Sequence, residues 1–494
     1  MARGAFIGRS SELNLIDRLW DSPNAEFMIL YGRRRIGKTR LLTHWINQHG
    51  TEGMYWMAEP TSAVDQLRSF SQAIANFMEP DDPAPLDFSY ANWEQAFRQI
   101  AMLARGRRTA VFIDEITYLM DTNASIIGTL QKVWDHRLKQ SDVLLALSGS
   151  QMGAMKKQLL SYQAPLYGRS TAQVSLSPLP YGASKDYFPN YTPEERVRLY
   201  AILGGVPAYW ERIDLDITVM ENLRQLIEPS NAWMLDEPRL LLQDFITDLY
   251  NYVGIMRAMA QGAHTLSEIG ERNGLSSTHM TSYLQVLRET GFVERRVPIT
   301  QRNIKSRLGR YHVTDPFLRF YYRFLAAYQS RLALGQQRQV VDAIEKDMDS
   351  FIEVNTWQEL CQQWVALADD QGELPISIEA VGGEWRRNYG IDVVGISEAE
   401  KTLILGSCQW GDQPGRIDDL ERAIQNATSV IPRNEEWTVY YLGFAAQGWS
   451  PGDRLRAEAA LTNKAKRGRT HWKFAGMRLL DLEEVDRDLT RWQV

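Results

Sequence analysis

Three apolar runs stand out in the first part of the chain. EFMILY at 26–31, TAVFIDEITYL at 109–119 and DVLLALSGSQ at 142–151 each contain at least four consecutive apolar residues. Runs without polar alternation read as strands buried on both faces, as in a parallel sheet. TRLLTHWINQ at 39–48 follows the first run with helical spacing. From about residue 249 the pattern changes. NYVGIMRAMAQG predicts a helix ending at Gly262, and TLSEIGERNGL a second, with Thr265 as N-cap and Glu268 three residues on, the two halves of a capping box. Gly274 makes a turn, and SSTHMTSYLQVLRETG at 276–291 predicts a third helix. FVERRVPITQRNIKSRLGRYHV then reads as a hairpin, so the order is that of a winged helix-turn-helix. A helix is expected after Pro316. Beyond it, FIEVNTWQELCQQWVALA predicts an amphipathic helix, and ISIEAVGGEWRR, IDVVGIS and TLILGSCQW three strands. RIDDLERAIQNAT at 416–428 predicts another helix and WTVYYLGFAA a further strand.

Chemistry enters directly after the first strand. GRRRIGKT, residues 32–39, matches G-x-x-x-x-G-K-[ST] between a strand and a helix. Gly32 and Gly37 let the backbone wrap around phosphate, with Arg33, Arg34, Arg35 and Ile36 between them and Arg40 just beyond. The helix N-terminus adds positive potential. Lys38 is expected to reach the β- and γ-phosphates, and Thr39 to ligate Mg²⁺. The second run ends in Asp114 and Glu115, at the strand end where open α/β sheets bind ligands. Asp114 is expected to hold Mg²⁺ through water, and Glu115 to orient or deprotonate the attacking water. The third run offers Ser148 or Ser150 to the γ-phosphate or the water, or is an ordinary strand ending in a Ser/Gly turn. Arg169, in LYGRS, either serves the nucleotide of its own or a neighbouring subunit or makes a surface salt bridge.

FIGRSSEL, YGRRRIGKT, VFIDEI, LSGSQ, LYGR and LGGVPAYW occur in that order. Together they resemble the archaeal-type ATPase family within the AAA+/STAND branch of P-loop NTPases, over about the first 240 residues. The resemblance implies that Phe6, Ile7, Gly8 and Arg9 lie near adenine. It also implies that Gly204, Gly205 and Pro207 belong to a helical lid closing on the nucleotide. The expected fold is α/β: a P-loop ATPase core at 1–180, a lid at 181–245, a winged helix at 246–315, a linker helix at 316–345 and an α/β domain at 346–494.

Two features of the later segments suggest function. The hairpin carries Arg295, Arg296, Arg302, Lys305, Arg307 and Arg310 against Glu294. They are candidate phosphate contacts on double-stranded DNA, with the third helix in the major groove. Alternatively the winged helix packs on the nucleotide domain as part of a switch. YHVTDPFLRFYYRFL at 311–325 resembles the entry to a C-terminal domain of uncharacterised function often fused to these ATPases, and the last segment resembles the PD-(D/E)XK nuclease core. That chemistry needs carboxylates and a lysine around a metal. With period-2 alternation, Ser407 and Gln409 occupy the face where Glu and Lys are required. Asp392 remains, and Glu359 on the preceding helix is the candidate partner, with Glu384 nearby. A nuclease scaffold without cleavage is expected; a rearranged metal site is the rival, and Asp392 as a plain solvated residue the bland alternative.

Composition narrows the setting. A chain of 494 residues holds several domains, and its net charge of −6 leaves nucleic-acid contact to local patches. The two cysteines, Cys361 and Cys408, exclude a disulfide framework and a cysteine-rich zinc site and suit a reducing cytosol. MARGAFIGRSSEL has no signal-peptide core, and no apolar run approaches the roughly 18 residues of a membrane span. The expectation is a cytoplasmic ATPase using ATP and Mg²⁺ as a conformational switch. Its rivals are an ATP-dependent DNA nuclease or remodeller and an ATP-gated module for a protein partner. Homo-oligomerisation enters only if Arg169 acts across subunits.

Overall fold

A computed structural model describes residues 6–49, 53–228, 233–243, 249–301, 306–416, 418, 422, 430, 435–453, 455, 456, 459 and 472–493. The chain divides into two units. Met1–Leu179 and Val206–Arg212 form the first, and Pro180–Gly205 and Ile213–Val494 the second. The span 181–245, read from sequence as one lid, is therefore shared between them.

The first unit is built on five parallel strands, β1 Glu26–Tyr31, β2 Gly53–Met57, β3 Thr109–Asp114, β4 Val143–Gly149 and β5 Ala172–Ser175, in the order β2-β3-β4-β1-β5. Strand alternation sorts the apolar runs onto two faces. Phe27, Ile29, Val111, Ile113, Leu145 and Leu147 pack with Phe70, Ile74, Phe97, Leu130 and Trp134 of one helical layer. Met28, Leu30, Phe112, Leu144 and Ala146 pack with Ile16, Leu41, Leu42 and Trp45 of the other. Covering both faces explains why these strands lack polar alternation. Ser62 and Asn92 cap two of the covering helices by accepting from Asp65 N–H and Gln95 N–H.

The second unit contains the predicted helices, Leu249–Ala260, Leu266–Asn273 and Ser277–Glu289, followed by an antiparallel ribbon of β6 Val293–Arg296 and β7 Arg310–Val313. Thr265 and Glu268 form the capping box, and Gly274 closes the helix with φ +64°, in the left-handed region. Next, β8 Ala380–Trp385, β9 Gly390–Ser397 and β10 Thr402–Gln409 form an antiparallel meander. β11 Trp437–Ala445 and β12 Trp472–Leu480 extend it in parallel, giving the order β12-β11-β10-β9-β8. A long helical stretch from Gln337 to Asp370 precedes the sheet, interrupted by a π-helical turn at Glu353–Trp357. The helix Leu482–Trp492 closes the described chain and is anchored within the unit by Asp486, which accepts from Tyr181 OH at 2.6 Å and pairs with Arg196. Most of the predicted helix at 416–428 lies outside the described residues. Among the described residues no helix is long and apolar enough to cross a membrane.

Candidate active site

The loop after β1 wraps as its glycines require. A Cβ on Gly32 would lie 2.5 Å from the Leu176 carbonyl oxygen, and Gly37 has φ +94°. Arg35 also adopts positive φ, at 69°. Lys38, which begins the helix Lys38–His49, is buried, and its ammonium donates to the Gly32 and Arg33 carbonyls at 3.0 and 3.2 Å. It lies 3.9 Å from Glu115 Oε1. Burial holds its pKa below the ordinary lysine value, although Glu115 and Asp114 oppose that shift.

Asp114 ends β3, fully buried. Its Oδ2 accepts from Thr39 Oγ1 at 2.6 Å and Tyr55 OH at 2.9 Å, and its Oδ1 from Glu115 N–H at 2.9 Å. Burial, then the Asp114 charge, push the Tyr55 phenol well above its usual pKa, so it remains a donor. Glu115 sits just beyond the strand with φ 50°, a left-handed kink that turns its side chain across to the end of β4. There Glu115 Oε2 accepts from Ser150 Oγ at 2.7 Å and Ser150 N–H at 3.2 Å. Ser150 is thus brought to Glu115, while the Ser148 hydroxyl is buried with no hydrogen-bond partner among the described residues.

Arg9 bonds the loop, and the loop's own arginines reach neighbouring side chains. Arg9 donates to Ile36 O at 3.1 Å and Ser177 O at 2.6 Å. Gly8 and Arg9 both have positive φ, and Phe6 stacks on His44 with ring centroids 3.9 Å apart. Arg33 donates to Tyr209 OH at 3.0 Å, Arg34 to Tyr118 OH, and Arg40 pairs with Glu211. Pro207 Cγ lies 4.0 Å from where a Gly37 Cβ would stand. Motif reading missed Tyr55, Tyr118, Tyr209 and Glu211. Each is a polar side chain in an otherwise ordinary strand, helix or turn, and only tertiary packing reveals its role. Arg169 is not among this group. It makes a two-pronged ion pair with Asp135, both contacts 2.8 Å, and otherwise bonds the Pro165 and Tyr167 carbonyls.

In the second unit Asp392 lines a cavity of about 220 Å³ with Glu353, Gln358, Glu384, Trp385 and Cys408. This corrects two expectations. First, the helical carboxylate beside Asp392 is Glu353, which the π-helical turn carries; Glu359 instead binds Arg296 at 2.6 Å and Arg319 at 2.9 Å. Second, Ser407 and Gln409 do not line the cavity. Between Gly382 and Glu384 the β8–β9 register slips, so Val394 and Ile391 oppose them with an extra residue between. Ile391 and Val394 consequently share one apolar cluster. The bulge turns Asp392 away from the face that simple alternation assigns it. Cys408 meets it there, its N–H donating to Asp392 Oδ2 at 3.0 Å. The Gln409 amide is engaged by the Arg416 backbone, and the Ser407 hydroxyl is buried without a partner among the described residues. Burial raises the pKa of Asp392, against its bond from Cys408 N–H. Burial and then the Asp392 charge raise that of Glu353. Glu384 is held by Thr300 Oγ1 at 2.8 Å and Arg386 at 3.2 Å.

The ribbon's arginines turn inward. Arg296 pairs with Glu294 and Glu359, Arg295 donates to the Ser306 carbonyl, and Arg310 lies over Trp385 at 5.1 Å. Arg307 is exposed, and Arg302 and Lys305 lie outside the described residues. Ile299 and Leu308, between β6 and β7, bond the edge strand β8: Ile299 N–H donates to Gly383 O at 3.0 Å, and Trp385 Nε1–H to Leu308 O at 2.9 Å. An unpaired sheet edge calls for such cover.

Residues 6–213 match the profile of an ATPase domain predominantly from Archaea, and residues 321–423 that of archaeal and bacterial proteins of unknown function. The first part of the chain is therefore similar to archaeal-type ATPase domains. An uncharacterized protein of Methanocaldococcus jannaschii is 28% identical over 437 residues, 88% of this chain and 94% of that one. An uncharacterized ATP-binding protein of the same organism is 44% identical over 41 residues, 8% of this chain and 70% of that one. In fold, the chain is similar to the Walker-type ATPase of Pyrococcus abyssi, with a TM-score of 0.50, 18% identity, and coverage of 64% of this chain and 96% of that one.

For an ATPase domain of that type the chemistry of the first unit is direct. The loop's N–H groups and Lys38 would bind phosphate, and Glu115 would supply a base or a water-orienting carboxylate. The Thr39 hydroxyl and Asp114 carboxylate, 2.6 Å apart, are hard oxygen donors that suit Mg²⁺. Bound there, the cation would supply charge neutralisation to the phosphates.

Proposed function

We propose that this ATPase is a molecular switch, in which Mg-ATP bound to the first unit changes the state of the second. The observation that carries this reading is the clasp of Glu115 by Ser150. A carboxylate already accepting two hydrogen bonds is a poor base until one is released. Turnover is therefore coupled to a rearrangement of the β3 and β4 ends rather than left running.

The second unit provides the output. Its three helices and ribbon form a winged helix. The solvent face of Ser277–Glu289, with Thr278, His279, Thr281, Ser282, Gln285 and Arg288 exposed, suits base edges in a major groove. The ribbon is a mounting for the C-terminal sheet, since Arg295, Arg296 and Arg310 have partners inside the unit. The C-terminal sheet resembles a nuclease scaffold whose cavity brings Asp392 to Glu353 and Cys408 in place of a lysine, and we assign it no cleavage. Steady-state ATP hydrolysis with and without duplex DNA tests this. Stimulation by DNA that weakens steeply with salt supports a DNA-coupled switch. An ATPase indifferent to DNA leaves a protein partner as the trigger. DNA cleavage abolished by Asp392→Ala would overturn the non-cleaving assignment.

A further inference from the structure

Three donors surround Asp114, and sequence motifs account for two of them, Thr39 and the adjoining Glu115 N–H. The third, Tyr55, comes from β2, which carries no motif. The register of the sheet explains its reach. β2 runs parallel to β3 with Met57 beside Asp114 and Tyr55 beside Phe112. Tyr55 thus stands two residues before the level of Asp114, a step of about 6.6 Å, on the same face of the sheet. The length of a phenol side chain spans that step, and its hydroxyl meets Oδ2 at 2.9 Å. The ring packs in the apolar cluster that includes Phe112, Leu42 and Trp45, so its direction is fixed from behind.

Thr39 and Tyr55 share one oxygen. If Thr39 turns its hydroxyl to a divalent cation, that oxygen loses the Thr39 bond and keeps the one from Tyr55. We propose that Tyr55 is a positioning residue for the cation–nucleotide complex, holding the Asp114 carboxylate in place while Thr39 changes partners. The proposal rests on the reading that Thr39 and Asp114 face the cation.

Tyr55→Phe keeps the ring and removes the donor. ATP affinity is measured by fluorescence titration with Mg²⁺ and with EDTA, on wild type, Tyr55→Phe and Asp114→Asn. In the wild type, Mg²⁺ tightens ATP binding. Loss of a hydrogen bond to a charged group shrinks that gain about 10-fold in Tyr55→Phe, with affinity in EDTA unchanged. Asp114→Asn loses the gain altogether. A full Mg²⁺ gain in Tyr55→Phe overturns the proposal, as does an equal loss with and without the cation, which would make Tyr55 a packing residue only. If wild type itself shows no Mg²⁺ gain, the cation reading of Thr39 and Asp114 fails instead.

Discussion

Glu359 offers the clearest test of how the second unit is held together. It was legible as a metal-ligand candidate, yet it joins the ribbon to the long helix. Arg296 of β6 reaches it at 2.6 Å, and Arg319 grips both of its oxygens, with contacts of 2.9 and 3.0 Å. Arg319 is only 8% exposed and Glu359 22%, so water screens the group weakly. Glu359→Gln keeps the shape and deletes the charge. Two guanidiniums then face one neutral amide. Hydrogen bonds to charged groups contribute about 1.5–3 kcal/mol each, and breaking a buried pair costs about 3–5 kcal/mol. A loss of about 3 kcal/mol is therefore expected. At about 2–4 °C per kcal/mol, the melting transition of the second unit should fall by at least about 5 °C. The pH dependence has a definite sign. Burial raises the Glu359 pKa, but Arg319 and Arg296 outweigh it and leave it below 4.5. The stabilisation is thus present above pH 4.5 and is lost as pH falls through the depressed value. Differential scanning fluorimetry of both proteins from neutral to acid pH should show the gap at neutral pH and convergence below pH 4.5. An unchanged melting temperature at neutral pH would show that the Glu359 charge holds nothing together.

Other substitutions separate the remaining roles. Glu115→Gln should bind ATP normally and hydrolyse it about 10²–10⁴-fold more slowly in a phosphate-release assay, and retained turnover would move the base elsewhere. Ser150→Ala opens the clasp and should raise unstimulated turnover about 10-fold, one charge-assisted hydrogen bond's worth; a deep fall would give Ser150 a direct part in hydrolysis. His312 stacks on His264 at 4.5 Å, and burial, with Arg296 next, pushes its pKa down to about 2. Its unfolded value is 6.5, so stability should decline as pH falls below 6.5, by up to about 1.4 kcal/mol per pH unit. Urea unfolding of His312→Gln should lose that slope.

The sequence revealed most where local pattern and chemistry coincide. The β1 run, the glycine loop and the helix after it are contiguous, so Lys38 and Thr39 needed no tertiary information. The Asp114–Glu115 pair announced itself by ending an apolar run, and the Thr265–Glu268 capping box lies within one helical turn. Residues placed by departures from regular geometry were hidden. One extra residue at the β9 bulge turns Asp392 to another face, so counting by twos put Ser407 and Gln409 where Cys408 stands. A π-helical turn carries Glu353, and nothing in its composition marks it. In the ribbon, charge is visible in sequence while the partners of Arg296 and Arg310, Glu359 and Trp385, are distant along the chain and were not. Arg169 allowed two readings in sequence, a nucleotide contact or a surface salt bridge, and its pair with Asp135 fits the second.

A switch requires that nucleotide in the first unit change the second. Backbone hydrogen exchange across residues 249–313 and 380–409, with and without Mg-ATP, in wild type and Lys38→Ala, tests it most directly. Protection is expected to change in the wild type on adding Mg-ATP, and not in Lys38→Ala, whose loop has lost its ammonium. Saturating ATP bound to the wild type, with exchange in the second unit unmoved, would contradict it.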